Sequence, residues 1–97
     1  MTVRKVVEFG PDVVRLARRI ASSYPLYFSR DLLNSEGRKV FEEMARMLVH
    51  EHPELKKLVV RVRRKPTLDN VMRVLERVLG EEAWELVKSS LEGPYKW

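Results

Sequence analysis

The sequence predicts a mainly helical α+β domain, with about four helices and two short β-strands in the order β-α-α-β-α-α. Three observations carry this expectation. Four stretches place apolar residues three and four apart, the spacing of one buried helix face. Two shorter stretches, 2–9 and 58–65, are rich in β-branched residues, and 58–62 alternates. Proline or glycine stands at nearly every junction between them. The runner-up is an all-α domain in which 54–64 is a helix.

In chain order, "TVRKVVEF" (2–9) reads as a strand with Val3, Val7 and Phe9 on one face. Pro11 suits the first turn of a helix and Asp12 its positive end. The helix over 12–24 buries Val13, Leu16, Ala17, Ile20 and Tyr24 and exposes Arg15, Arg18 and Arg19. Pro25 is expected to stop it. A connection follows, in which Ser29 caps a short turn carrying Leu32 and Leu33.

The helix over 35–52 has Ser35 as its expected N-cap and Val40, Phe41, Met44, Met47 and Leu48 as its inner stripe. Opposite charges four apart (Arg38 with Glu42, Lys39 with Glu43, Glu42 with Arg46) are expected to support its outer face. Pro53 ends it.

In "LVVRVRRKP" (58–66) the residues Leu58, Val60 and Val62 alternate with Val59, Arg61 and Arg63, which predicts a strand. On that reading Val60 and Val62 face the core. Arg61, Arg63 and Lys65 project from the other face at roughly 7 Å intervals. Pro66 closes the segment, because it disfavours helical geometry in the residue before it.

A helix over 67–80, capped by Thr67 or Asp69, buries Val71, Val74, Leu75 and Val78 and ends at Gly80. The last helix, 81–93, opens on Glu81 and Glu82 and closes at Gly93 and Pro94; Trp84 is expected in the core. "DVVRLARRI" and "NVMRVLERV" share three residues in register, no more than two ordinary amphipathic helices provide.

The 97 residues suit a single globular domain, 1–97, with one modest core. There is no cysteine, which excludes disulfides, thiolate metal centres and cysteine nucleophiles. No apolar run nears the roughly 18 residues of a membrane span, so a soluble, cytoplasmic protein is expected, with no membrane partner. Glutamine is absent and Arg, Lys and Glu abound, the usage of hyperthermophile proteins.

Charge is the informative feature. The net charge is +5, and residues 56–65 hold six basic residues and no acidic one. The remainder therefore sums to 5 − 6 = −1. Concentration of charge in one segment attracts an acidic partner where a diffuse excess would only aid solubility.

The candidate nucleic-acid-binding residues are Arg61, Arg63, Arg64 and Lys65, extended by Lys56 and Lys57, with Arg15 and Arg19 as further basic positions on a helix exterior. Arginine's planar fork holds phosphate in two hydrogen bonds, so such a surface positions a nucleic-acid backbone without reading its bases. The competing account is a solvated strand face that protects a sheet edge, or a surface for an acidic protein. No aromatic residue interleaves the cations for base stacking, which favours the protein partner.

Other chemistry is poorly supported. "VMRVLERVLGEEAWELVKSSL" superficially fits a helix-turn-helix. However, bulky Glu76 stands where close helix packing wants a small residue, and carboxylates open the would-be recognition helix. His50 and His52 lie two apart at a helix end without metal-ligand spacing. Four glycines form no phosphate loop. The expectation is a non-enzymatic protein without catalytic residues, cofactor or metal, with a homodimer as a route to added stability.

Overall fold

The computed structural model describes residues 8–92. Its helices are α1 (Pro11–Ser22), α2 (Tyr24–Tyr27), α3 (Ser35–Glu51), α4 (Lys56–Arg64), α5 (Leu68–Leu79) and α6 (Glu82–Glu92), with a 3₁₀ turn at Pro53–Leu55. Strands β1 (Phe28–Ser29) and β2 (Leu32–Leu33) form an antiparallel pair. The mainly helical α+β class holds, with six helices in place of about four among the described residues. The strand expected over 2–9 lies outside the described residues except for Glu8 and Phe9, which are irregular. The terminal "GPYKW" also lies outside them.

Helix α1 packs on α3, α5 and α6 and occupies the centre. Its buried stripe is Val13, Leu16, Ala17, Ile20 and Ala21. Phe41, Met44 and Leu48 come to it from α3, Val71, Met72, Val74 and Leu75 from α5, and Ala83 and Val87 from α6. Each contributes because its helix repeats apolar residues along one face, and burying a large aliphatic side chain is worth about 1.5–3 kcal/mol. No charged or polar side chain is buried among the described residues.

The second strand is not at 58–65. That segment is helix α4, continuous with the 3₁₀ turn before it. The alternation that suggested a strand coincides with a helical stripe whose first member lies just upstream: Leu55, Val59 and Val62, at i, i+4 and i+7, are all buried. Valine loses some side-chain freedom in a helix, a few tenths of a kcal/mol each, and burial of Val59 and Val62 exceeds that cost. Arg61, Arg63 and Arg64 fall in the last turn, where cations meet the negative end of the helix dipole. Lys65 is extended, as the residue before Pro66 must be.

The real strand pair lies in the stretch read as a connection. A two-residue loop joins Ser29 to Leu32, and both of its residues have positive φ, Arg30 at 53° and Asp31 at 62°. This is the mark of the I′ turn, whose twist matches that of paired strands. The loop after α4 extends the pair: Leu33 N–H donates to Pro66 O at 2.9 Å and Leu68 N–H to Asp31 O at 2.8 Å. Ser29 therefore caps nothing; it is a strand residue.

Asn34, not Ser35, caps α3, accepting from Gly37 N–H at 2.8 Å while its amide donates to Leu26 O at 2.8 Å. Gly37 is buried because α3 starts directly against the Tyr27 carbonyl, where a β-carbon has no room. Thr67 caps α5. Helix α1 ends before Pro25, which sits instead in the first turn of α2.

Candidate nucleic-acid interface

Helix α4 is fixed from below by Val59 and Val62, so the rest of its circumference is set by the helical period. Lys57, Val60, Arg61 and Arg64 fall at i, i+3, i+4 and i+7, one stripe on the side away from the core. With Lys56, Pro53 and Glu54 they line an open groove of about 600 Å³. Val60, expected to face the core, instead forms part of the groove. Lys57 and Arg64 are seven residues apart, about 10.5 Å along the helix axis.

The eight candidate residues divide into three groups. Lys56, Lys57, Arg61 and Arg64 converge on the groove, and none of them has an ion-pair partner among the described residues. Lys65 is exposed just past the helix, outside the groove lining; its carbonyl accepts from Asn70. Arg63 points the other way. Its guanidinium forks onto Glu42 of α3, with Nε at 3.0 Å from Oε2 and Nη2 at 2.9 Å from Oε1. Those hydrogen bonds raise its pKa above the already high ordinary value.

The α1 arginines are committed elsewhere. Arg15 pairs with Asp12 at 3.2 Å. Arg19 donates to the Tyr27 hydroxyl at 2.8 Å and lies 5.9 Å from that ring's centre. Neither lines the groove. Arg18 forks onto Glu82 and ties α1 to α6. The expected pairs along α3 also differ: Glu42 serves Arg63, and Lys39 pairs with Glu36 at 3.3 Å.

The other constellations take structural roles. His52 Nε2 lies 2.8 Å from the Glu8 carbonyl and its ring packs on Phe9. Glu51 accepts from Gly10 N–H at 2.9 Å. The end of α3 thus anchors the chain entering α1. The described residues contain no cluster of three potential metal ligands, and none of their helices is long and apolar enough to cross a membrane.

Trp84, expected in the core, is 38% exposed and donates its indole N–H to Glu76. Its placement was legible in the helical wheel of α6: Ala83 and Val87 take the buried stripe, and Trp84 falls beside it.

Comparison of the chain with family models, curated proteins and solved structures returns no match.

Proposed function

We propose that the protein is a small, non-enzymatic nucleic-acid-associated protein that contacts the phosphate backbone through the outer face of α4. The observation that carries this reading is the convergence of Lys56, Lys57, Arg61 and Arg64 on one open groove with no carboxylate paired to them among the described residues. Surface cations in a folded protein often find acidic neighbours, as Arg15, Arg18, Lys39 and Arg63 do here. Four left together favour an anionic ligand supplied from outside. The groups suit phosphate: two guanidinium forks and two ammonium groups along about two helical turns.

The contacts would be electrostatic and independent of base sequence. Arg63, Arg15 and Arg19 belong to the fold on this reading, and Lys65 is an auxiliary cation at the groove's edge. Val60 among the cations, and the lack of any aromatic ring there, favour a second reading in which the same face meets an acidic protein surface. The glutamine-free, charge-rich composition supports a protein adapted to high temperature.

The test is fluorescence anisotropy with labelled duplex DNA, single-stranded DNA and RNA at two salt concentrations. Salt-sensitive binding that Arg61→Ala/Arg64→Ala weakens and Arg63→Ala leaves intact supports the proposal. Absence of binding at low salt refutes it.

A further inference from the structure

A second surface faces solvent at the opposite end of the charge scale. Trp84 and Glu76 are shared by two adjoining hollows, one of about 270 Å³ lined also by Asp69, Met72 and Arg73, the other of about 360 Å³ lined also by Gly80 and Glu81. Asp69, Glu76 and Glu81 have no ion-pair partner among the described residues. Arg73 is the one cation lining them. A solvent-facing tryptophan ringed by three carboxylates is unlike the rest of this surface, and tryptophan and arginine are the residue types that dominate the energetics of protein interfaces.

We propose that this Trp84 surface receives the α4 face of a second copy of the chain, in a head-to-tail contact. Complementarity argues for that occupant. Asp69 and Glu76 are seven residues apart on α5, about 10.5 Å along the axis, which equals the span from Lys57 to Arg64 on α4. Laid side by side, the two helices bring each terminal cation to a carboxylate. Val60 then meets the apolar rim at Trp84, whose ring also offers its face to the Arg61 guanidinium. Arg73 on the Trp84 side and Glu54 on the α4 side are the repulsive elements in this pairing.

The two surfaces are oppositely charged: four cations against Glu54 line the α4 groove, and three carboxylates against Arg73 line the Trp84 hollows. Steering between unlike ends of two copies offsets the repulsion of their net charges at low ionic strength. The two linings share no residue, so each copy carries one of each and the contact is heterologous. The inference stands apart from the nucleic-acid reading, although a bound polyanion would compete for α4.

The experiment is sedimentation analysis of nuclease-treated protein at low salt, with no nucleic acid present. Wild-type protein is expected to self-associate, and the association to weaken as salt rises. Trp84→Ala should weaken it at least about 30-fold, the scale of an interface hot spot. Arg61→Ala/Arg64→Ala should do the same. Arg73→Ala should tighten it.

The decisive arm mixes the Trp84→Ala and Arg61→Ala/Arg64→Ala proteins. Each alone is monomeric, yet each keeps one intact half, so an equimolar mixture should give a capped 1:1 dimer. These side chains are exposed, and circular dichroism checks that each variant is folded; Asp69→Asn/Glu81→Lys repeats the Trp84-side test while leaving the ring and its hydrogen bond to Glu76 in place. A wild-type protein that stays monomeric at millimolar concentration overturns the proposal. So does a mixture that stays monomeric, or association insensitive to both variants. Loss of anisotropy binding to nucleic acid leaves these outcomes unaffected, so the two proposals fail separately.

Discussion

Removal of Arg61 and Arg64 should halve the salt dependence of nucleic-acid binding. Each neutralised phosphate of duplex DNA contributes about −0.9 to the slope of log affinity against log salt. Four groove cations, Lys56, Lys57, Arg61 and Arg64, then give about −3.6. Between about 50 and 200 mM salt, affinity should fall about 150-fold. With the two arginines replaced by alanine, two contacts remain and the slope becomes about −1.8, a fall of about 12-fold over the same interval. Arg63→Ala is the internal control. Its guanidinium is already held by Glu42, so the slope should not move, while stability should drop by about 0.2–1 kcal/mol, the range for exposed ion pairs. The assay is anisotropy of labelled duplex DNA across a salt series. An unchanged slope in the double variant, or an equal effect of Arg63→Ala, would refute the assignment of roles along α4.

Other expectations test the fold that positions this face. Gly37→Ala should destabilise by about 1–3 kcal/mol, because the new β-carbon overlaps the Tyr27 carbonyl and lies 2.8 Å from Leu33; the better helix propensity of alanine recovers only about 1 kcal/mol, and urea unfolding showing no loss would contradict the packing described. Arg30→Asn should stabilise by about 0.5–1 kcal/mol, since φ of 53° costs arginine more than asparagine; an unchanged or lowered melting temperature would count against the I′ turn. Tyr24 donates its hydroxyl to the Asp31 carboxylate, and that hydrogen bond raises its pKa above 10.0, with burial and the carboxylate charge adding to it. The stability this contributes is present below the unfolded value of about 10 and is lost as pH rises through the folded value. Stability measured on either side of about pH 10 should therefore fall more steeply for wild type than for Tyr24→Phe; parallel curves would show that the contact does not form.

Long, regular helices were legible because their periodicity is redundant. The stripes of α1 and α3 repeat over three or more turns, so a half-buried residue such as Met47 did not obscure them, although Tyr24, read as the last member of the α1 stripe, opens α2 instead. Short elements lack that redundancy. In α4, Leu58, Val60 and Val62 satisfied a period of two, and Leu55, the residue that completes the helical period, lay upstream of the stretch that read as a strand, separated from it by Lys56 and Lys57. The hairpin has two residues per strand, too few for any alternation, and its turn carries Arg-Asp where Asn-Gly would have announced it.

The candidate site divides in the same way. The charge cluster was visible in the sequence, but which cations remain unpaired depends on the helical rotation of α4. That rotation sends Arg63 to Glu42 and gathers Lys57, Arg61 and Arg64 with Val60. The strand reading had set Arg63 beside Arg61 instead. Arg15 and Arg19 were assigned by exposure alone; the Asp12 partner of Arg15 stands three residues earlier in α1 and was open to the same helical spacing, whereas nothing in α1 reveals that Arg19 meets Tyr27.

The most direct test of the α4 account is an NMR titration of isotope-labelled protein with a short duplex DNA at low salt. The account predicts backbone shifts of a helix across 56–64 in the free protein. On addition of DNA, the largest perturbations should fall at Lys57, Val60, Arg61 and Arg64, with Val59, Val62 and Arg63 little changed. Extended-chain shifts over 56–64, or perturbations centred on the α1 arginines with α4 unmoved, would contradict it.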